Sequence, residues 1–268
     1  MKIVLSRKGF DSQYGKQASP ILPDGTLLSL PIPSHDDLTY SEIHWEGRSY
    51  WDIISSLKPK TDLNEHSHCH LDPDLRACSI IRSDGWQPAF GQTGSPLTEL
   101  RSFNVGVGDL FLFFGWFKET EYKDGCLCYK SKAKDLHLIY GYIQIGYVVD
   151  NDAAIPDWLK YHPHANCTNY QELWKKGQNA IYLPSEHLSF APNRPGAGTF
   201  TFDERFILTK SGFSRSRWEF PPNMKGVPIS HNPNGWKPNY FQSSARGQEF
   251  VIEGLPCVME WVKNLFAE

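Results

Sequence analysis

The sequence predicts a β-rich α+β protein with a mixed or barrel-like central sheet, short peripheral helices and an amphipathic helix at its C-terminal end. Two long apolar runs, 110–117 and 137–146, suit buried strands. Turn-forming Gly and Pro are spread along the chain and are not gathered into a linker. The segment 256–266 repeats Val258, Trp261, Val262 and Leu265 at the spacing of a docked helix. With 40% hydrophobic and 14% aromatic residues in 268, there is enough apolar material for one large core, so 1–268 is expected to form a single domain.

The first element is Ile3-Val4-Leu5, a β-type run broken by Gly9 and Gly15, which puts the polar stretch Ser6-Arg7-Lys8-Gly9-Phe10-Asp11-Ser12 in a loop at a strand end. Pro23-Asp24-Gly25 is a turn signal between two β-prone arms and predicts a hairpin over 20–33. Apolar spacing over 50–57 predicts a short helix that Lys58-Pro59 stops. The segment 65–75 holds the densest group of metal-ligating residue types. Gln92, between Gly91 and Gly94, is expected in a loop. A Val-Gly-Asp turn at 107–109 feeds the first long strand, and the second should be its neighbour in the sheet. Further strands are expected at 180–183, 200–202 and 250–252.

A net charge of −3 and a pI near 6.4 exclude a surface that binds nucleic acid by general phosphate neutralisation, so any polyanion contact must be local. The apolar N-terminal run is too short for a signal peptide and no stretch reaches membrane-span length, so a cytoplasmic protein is expected. The six cysteines read as reduced core thiols, and Cys126-x-Cys128 lacks the second pair a zinc ribbon needs. Walker, dinucleotide-binding and nucleophile-elbow patterns are absent, which argues against the common NTPase, dehydrogenase and hydrolase classes.

The opening Ser6–Ser12 stretch with Pro20-Ile21-Leu22-Pro23-Asp24-Gly25, then Gly91-Gln92-Thr93-Gly94, then the run from Gly108 to Phe117 followed by Leu138-Ile139-Tyr140-Gly141-Tyr142, together resemble the third type of nucleotide-modification-associated domain. This prokaryotic and phage family is named for its genomic company with DNA base-modification enzymes, and the resemblance spans nearly the whole chain. The Gly-Asp strand and its Tyr-Gly-Tyr partner are also similar to the PUA, ASCH and EVE barrels. That likeness implies a pocket between the two strands that reads a base, often a modified one. Partner enzymes of a DNA-modification system are implied as well.

Candidate site residues follow from chemistry. Arg7 and Lys8 can hold a phosphate while Asp11 accepts from a sugar hydroxyl or acts as a base beside Ser12, although an Arg7–Asp11 ion pair could equally just fix the loop. Gln92 can pair with a base edge, Tyr140 and Tyr142 can stack on one, and Arg217 adds a second local cation. On an extended strand His66, His68, His70 and Asp72 share a face, so His68, His70 and Asp72 are candidate ligands for a divalent metal. His162-Pro163-His164 is a second H-x-H that reads first as a stiff loop. Three functions fit these residues: a nucleotide- or base-modification protein with its pocket on the N-terminal loop and central sheet; a modified-base reader without chemistry; and a metal-dependent hydrolase or nuclease built on 66–72.

Overall fold

The computed structural model describes residues 1–165, 167–244 and 247–267, with 167–169 described by backbone alone. Among these residues one sheet contains β1 (Lys2–Arg7), β2 (Ser19–Ile21), β3 (Phe90–Thr93), β4 (Leu110–Lys123), β5 (Cys126–Tyr129), β6 (Leu136–Val149), β7 (Asn179–Pro184), β8 (Ala197–Thr199) and β9 (Glu249–Glu253). Its main path runs β9-β1-β4-β6-β7-β3, with β2 and β5 on β4 and β8 on β6. The helices are α1 (Tyr50–Leu57), α2 (Gly94–Ser102), α3 (Cys167–Lys175) and α4 (Pro256–Leu265).

The two long apolar runs form the centre as antiparallel neighbours, with Leu136 opposite Phe117 and Gln144 opposite Leu110. From Leu110 to Gly115 every residue of β4 is buried, so both faces are covered and no polar alternation is seen. On the inner face Phe90, Phe111, Phe113 and Tyr182 meet ring to ring. On the other, Phe114 and Phe250 pack against Trp218. Burying each such ring contributes roughly 1.5–3 kcal/mol of transfer free energy. The opening strand lies between β9 and β4, antiparallel to one and parallel to the other.

The sheet curls until its end strands meet through side chains. Gln92 on β3 donates from Nε2 to Glu249 Oε1 on β9 at 2.6 Å. The same oxygen accepts from Ser6 Oγ at 3.0 Å and lies 3.3 Å from Lys8 Nζ. The helices follow their sequence signals: Ser49 and Asp52 form a capping box at the start of α1, and α4 buries Val258, Trp261, Val262 and Leu265.

Several local expectations are corrected. The Pro-Asp-Gly turn forms, with Gly25 at φ +87°, but the predicted hairpin shrinks to a bridge between Ile21 and Leu27 because β2 pairs with β4 instead. The Gln92 segment is a strand and not a loop; Phe90 anchors it in the aromatic core despite the neighbouring glycines. The strand expected at 200–202 is displaced to β8, leaving Phe200 to pack on Phe206. The extended row over 66–72 is only two residues long, Cys69–His70, paired with Ile32–Pro33. The described cysteines are free thiols, as expected, but Cys78 and Cys126 are exposed while Cys69 is buried and Cys257 packs against the core; the Cys167 side chain lies outside the described residues.

Candidate functional site

Two polar regions collect the chain's chemistry, and backbone alternation separates them. At the end of β1, Arg7 turns to one side of the sheet and Lys8 to the other. Arg7 lines a cleft of about 1420 Å³ with Asp11, Ser12, Trp116, His137 and Arg215. Its Nη2 donates to the Ser244 carbonyl at 2.6 Å, and its guanidinium lies over Phe114 and Phe250. Arg215 lies over Trp116, its Cζ 4.0 Å from the ring centre, and donates to Ser12 Oγ. Trp116 is anchored in turn by Nε1 donating to Asp135 at 2.8 Å. Burial lowers the pKa of both arginines, with Asp11 opposing the shift. Asp11 Oδ1 accepts the backbone N–H groups of Gln13 and Tyr14, both at 2.7 Å, so this carboxylate shapes its own loop.

Other candidates point away from the cleft. Lys8 and Gln92 are both held by Glu249, and Lys8 also lies over Phe90 at 4.4 Å. Tyr140 is buried against Phe113 and Phe117. Tyr142 packs on Phe200 and Phe266. The Arg217 guanidinium lies over Phe213 and Tyr240, while its neighbour Arg215 takes the place in the cleft. The structure therefore gathers Arg7, Asp11 and Ser12 and separates them from Lys8, Gln92, Tyr140, Tyr142 and Arg217.

The second region surrounds Asp72. His70, Asp72 and His164 each offer a ligand atom, all within 4.8 Å of one another. His164 comes from the second H-x-H, so the partner for His70 lies 94 positions away in the chain. The expected ligand His68 is directed elsewhere, with Nδ1 2.6 Å from the Asp36 carbonyl, and His66 is exposed beside Glu65. Two further residues gave no sequence signal: Asp36 Oδ2 lies 2.7 Å from His70 Nδ1, and Asn179 Oδ1 lies 2.9 Å from His164 Nδ1. Gly91 makes the arrangement possible. A Cβ there would sit 2.1 Å from His164 Cγ, so only glycine lets the imidazole lie on β3. The Gly91 N–H also donates to Asp72 Oδ1 at 2.7 Å.

Burial alone would raise the Asp72 carboxyl, but the facing His162 and the influence of His164 and His70 reverse this and hold it well below the usual carboxylate range. Burial pushes His164 down to about 3, with His70 and His162 acting in the same direction and Asp72 against it. At neutral pH the region therefore holds a carboxylate and a neutral imidazole.

A family model described as nucleotide modification associated domain 3 matches residues 2–253, which include every residue of both regions. The chain belongs to that family. Membership ties the protein to nucleotide modification, as the sequence resemblance implied. No curated protein and no solved structure matches the chain. No helix among the described residues is long and apolar enough to cross a membrane.

Proposed function

We propose that this protein takes a nucleotide, or a base turned out of a nucleic-acid strand, into the cleft at the end of β1, in the service of nucleotide modification and beside partner enzymes of such a system. The observation that carries the reading is the Arg215 guanidinium stacked on Trp116 at 4.0 Å within a cleft that Arg7 also lines. An aromatic face with two guanidinium groups supports stacking on a base together with a charge-assisted contact to its phosphate. Five cationic side chains in the lining (Arg7, Lys132, Lys134, Lys210, Arg215) stand against five anionic ones (Asp11, Glu119, Asp135, Glu204, Glu219). That balance favours one nucleotide unit over a long run of phosphates.

Calorimetry with mononucleotides and short single strands, plain and base-modified, tests the reading. Wild type should bind with a Kd that W116A and R215A each weaken about tenfold, since one base–aromatic stack contributes roughly 1–3 kcal/mol. Equal binding by all three proteins would remove the cleft as the site. Mass analysis of the recovered nucleotide then separates an enzyme from a reader: a changed mass that D11A abolishes identifies chemistry at the loop, and an unchanged mass identifies recognition alone.

A further inference from the structure

Independently of the cleft, we propose that His70, Asp72 and His164 form a binding site for a divalent transition metal of the zinc, iron(II) or manganese(II) class. The proton positions make the case. Asn179 Nδ2 donates to the His164 carbonyl at 2.8 Å, which fixes the amide so that Oδ1 faces the His164 ring as an acceptor. His164 must therefore carry its proton on Nδ1. Asp36 imposes the same tautomer on His70, because a carboxylate only accepts. When both rings are neutral, the two Nε2 atoms each present a lone pair and face one another at 3.2 Å. Two lone pairs at that distance repel unless a metal ion or a proton lies between them.

Asp72 completes the set. Its Oδ2 is 3.9 Å from His70 Nε2 and 4.0 Å from His164 Nε2. A point equidistant from the three atoms lies about 2.2 Å from each, the length of a metal bond to imidazole nitrogen or carboxylate oxygen. Every ligand is also held on its far side, as metal ligands are when a protein orients them in advance: His70 by Asp36, His164 by Asn179, and Asp72 through Oδ1 by the Gly91 N–H. His162 is a positioning residue. Its Nδ1 accepts from the His164 backbone N–H, which puts its ring proton on Nε2, 3.3 Å from Asp72 Oδ1. Asp72, His162 and His164 are covered, whereas His70 keeps an edge towards solvent. Two imidazoles and one carboxylate with an open side form a ligand set that leaves coordination positions for water or a substrate oxygen.

The full chain, stripped with a chelator, would be titrated with Zn²⁺, with Co²⁺ followed by visible absorption, and with Fe²⁺ without oxygen; metal retained on purification without chelator would be counted by elemental analysis. The expected result is one saturable site per chain, weakened more than about 100-fold in H70A and D72N, and about tenfold in H162Q. H66A, altered at the exposed neighbour, should bind as wild type does. His70 is the most exposed ligand, so H70A offers a folded test if D72N fails to fold, with circular dichroism as the check. Absence of saturable binding in folded wild type, or equal affinity in folded H70A, overturns the site. A proton shared between the two imidazoles in place of a metal gives that same negative result. W116A should leave metal affinity unchanged, so failure of the cleft and failure of the metal site are separately visible.

Discussion

The cleft and the Asp72 region are built in opposite ways. In the cleft Asp11 and Arg215 sit on loops, and Arg215 depends on an aromatic face and a serine hydroxyl. Around Asp72 both ligand imidazoles are fixed by a hydrogen bond at the ring atom that points away from the centre. The first arrangement can adapt to ligands of different shape, and the second presents one geometry in advance. The two are nevertheless linked. Arg7 and Gly91 face the two regions, while the residue that follows each, Lys8 and Gln92, turns to Glu249.

The largest effect is expected where that link is cut. E249A leaves the Lys8 ammonium buried without its carboxylate and should cost about 3–5 kcal/mol in urea unfolding. If both regions hang on this tie, nucleotide and metal binding should weaken together; loss of only one would show that they are held separately. G91A comes next, because its Cβ collides with the His164 ring. We expect about 1–3 kcal/mol of destabilisation with metal binding lost and nucleotide binding kept.

A pH series probes the cleft side. His137 is buried and accepts from Trp218 Nε1 at 3.1 Å, and burial first, with Arg7 and Arg215 adding to it, holds its pKa well below the ordinary histidine value. Below about pH 6.5 the unfolded chain binds a proton there that the folded chain refuses, so stability falls as pH falls. The His137 share of the loss should reach about 1 kcal/mol by pH 5.5, and that share should vanish in H137Q while the buried His164 keeps its own. The smallest effect belongs to R215A: about 0.5–1 kcal/mol of stability from the lost cation–π contact, with the nucleotide Kd as the more sensitive readout.

What the sequence made legible was local. Apolar run length revealed β4 and β6, and 3.6-residue spacing revealed α4, since each signal is contained in one segment. The Ser6–Ser12 stretch lies at a strand end as expected, although Ser6 and Arg7 belong to β1 itself and not to the loop. Which way its side chains face depends on what each strand packs against, so the separation of Arg7 from Lys8 could not be read in advance. The glycines flanking Gln92 suggested a loop because glycine marks both turns and close approaches; here Gly91 is a close approach by an imidazole. His164 was visible only as half of a stiff H-P-H. Its meeting with His70 depends on the β3–β7 pairing, and neither Asp36 nor Asn179 carries a periodic signal.

The hydrogen bond from Gly91 to Asp72 has a consequence for solubility. The backbone of β3 pairs with β7 on one side, and the Gly91 N–H points the other way, where a further strand would dock. Asp72 Oδ1 stands in for the carbonyl of that missing strand, and the bridge between Asp74 and Ala89 continues the cover. An exposed sheet edge invites pairing with another molecule. The same carboxylate that faces the two imidazoles therefore also closes this rim of the sheet, and removing it opens a surface on which copies of the chain can join.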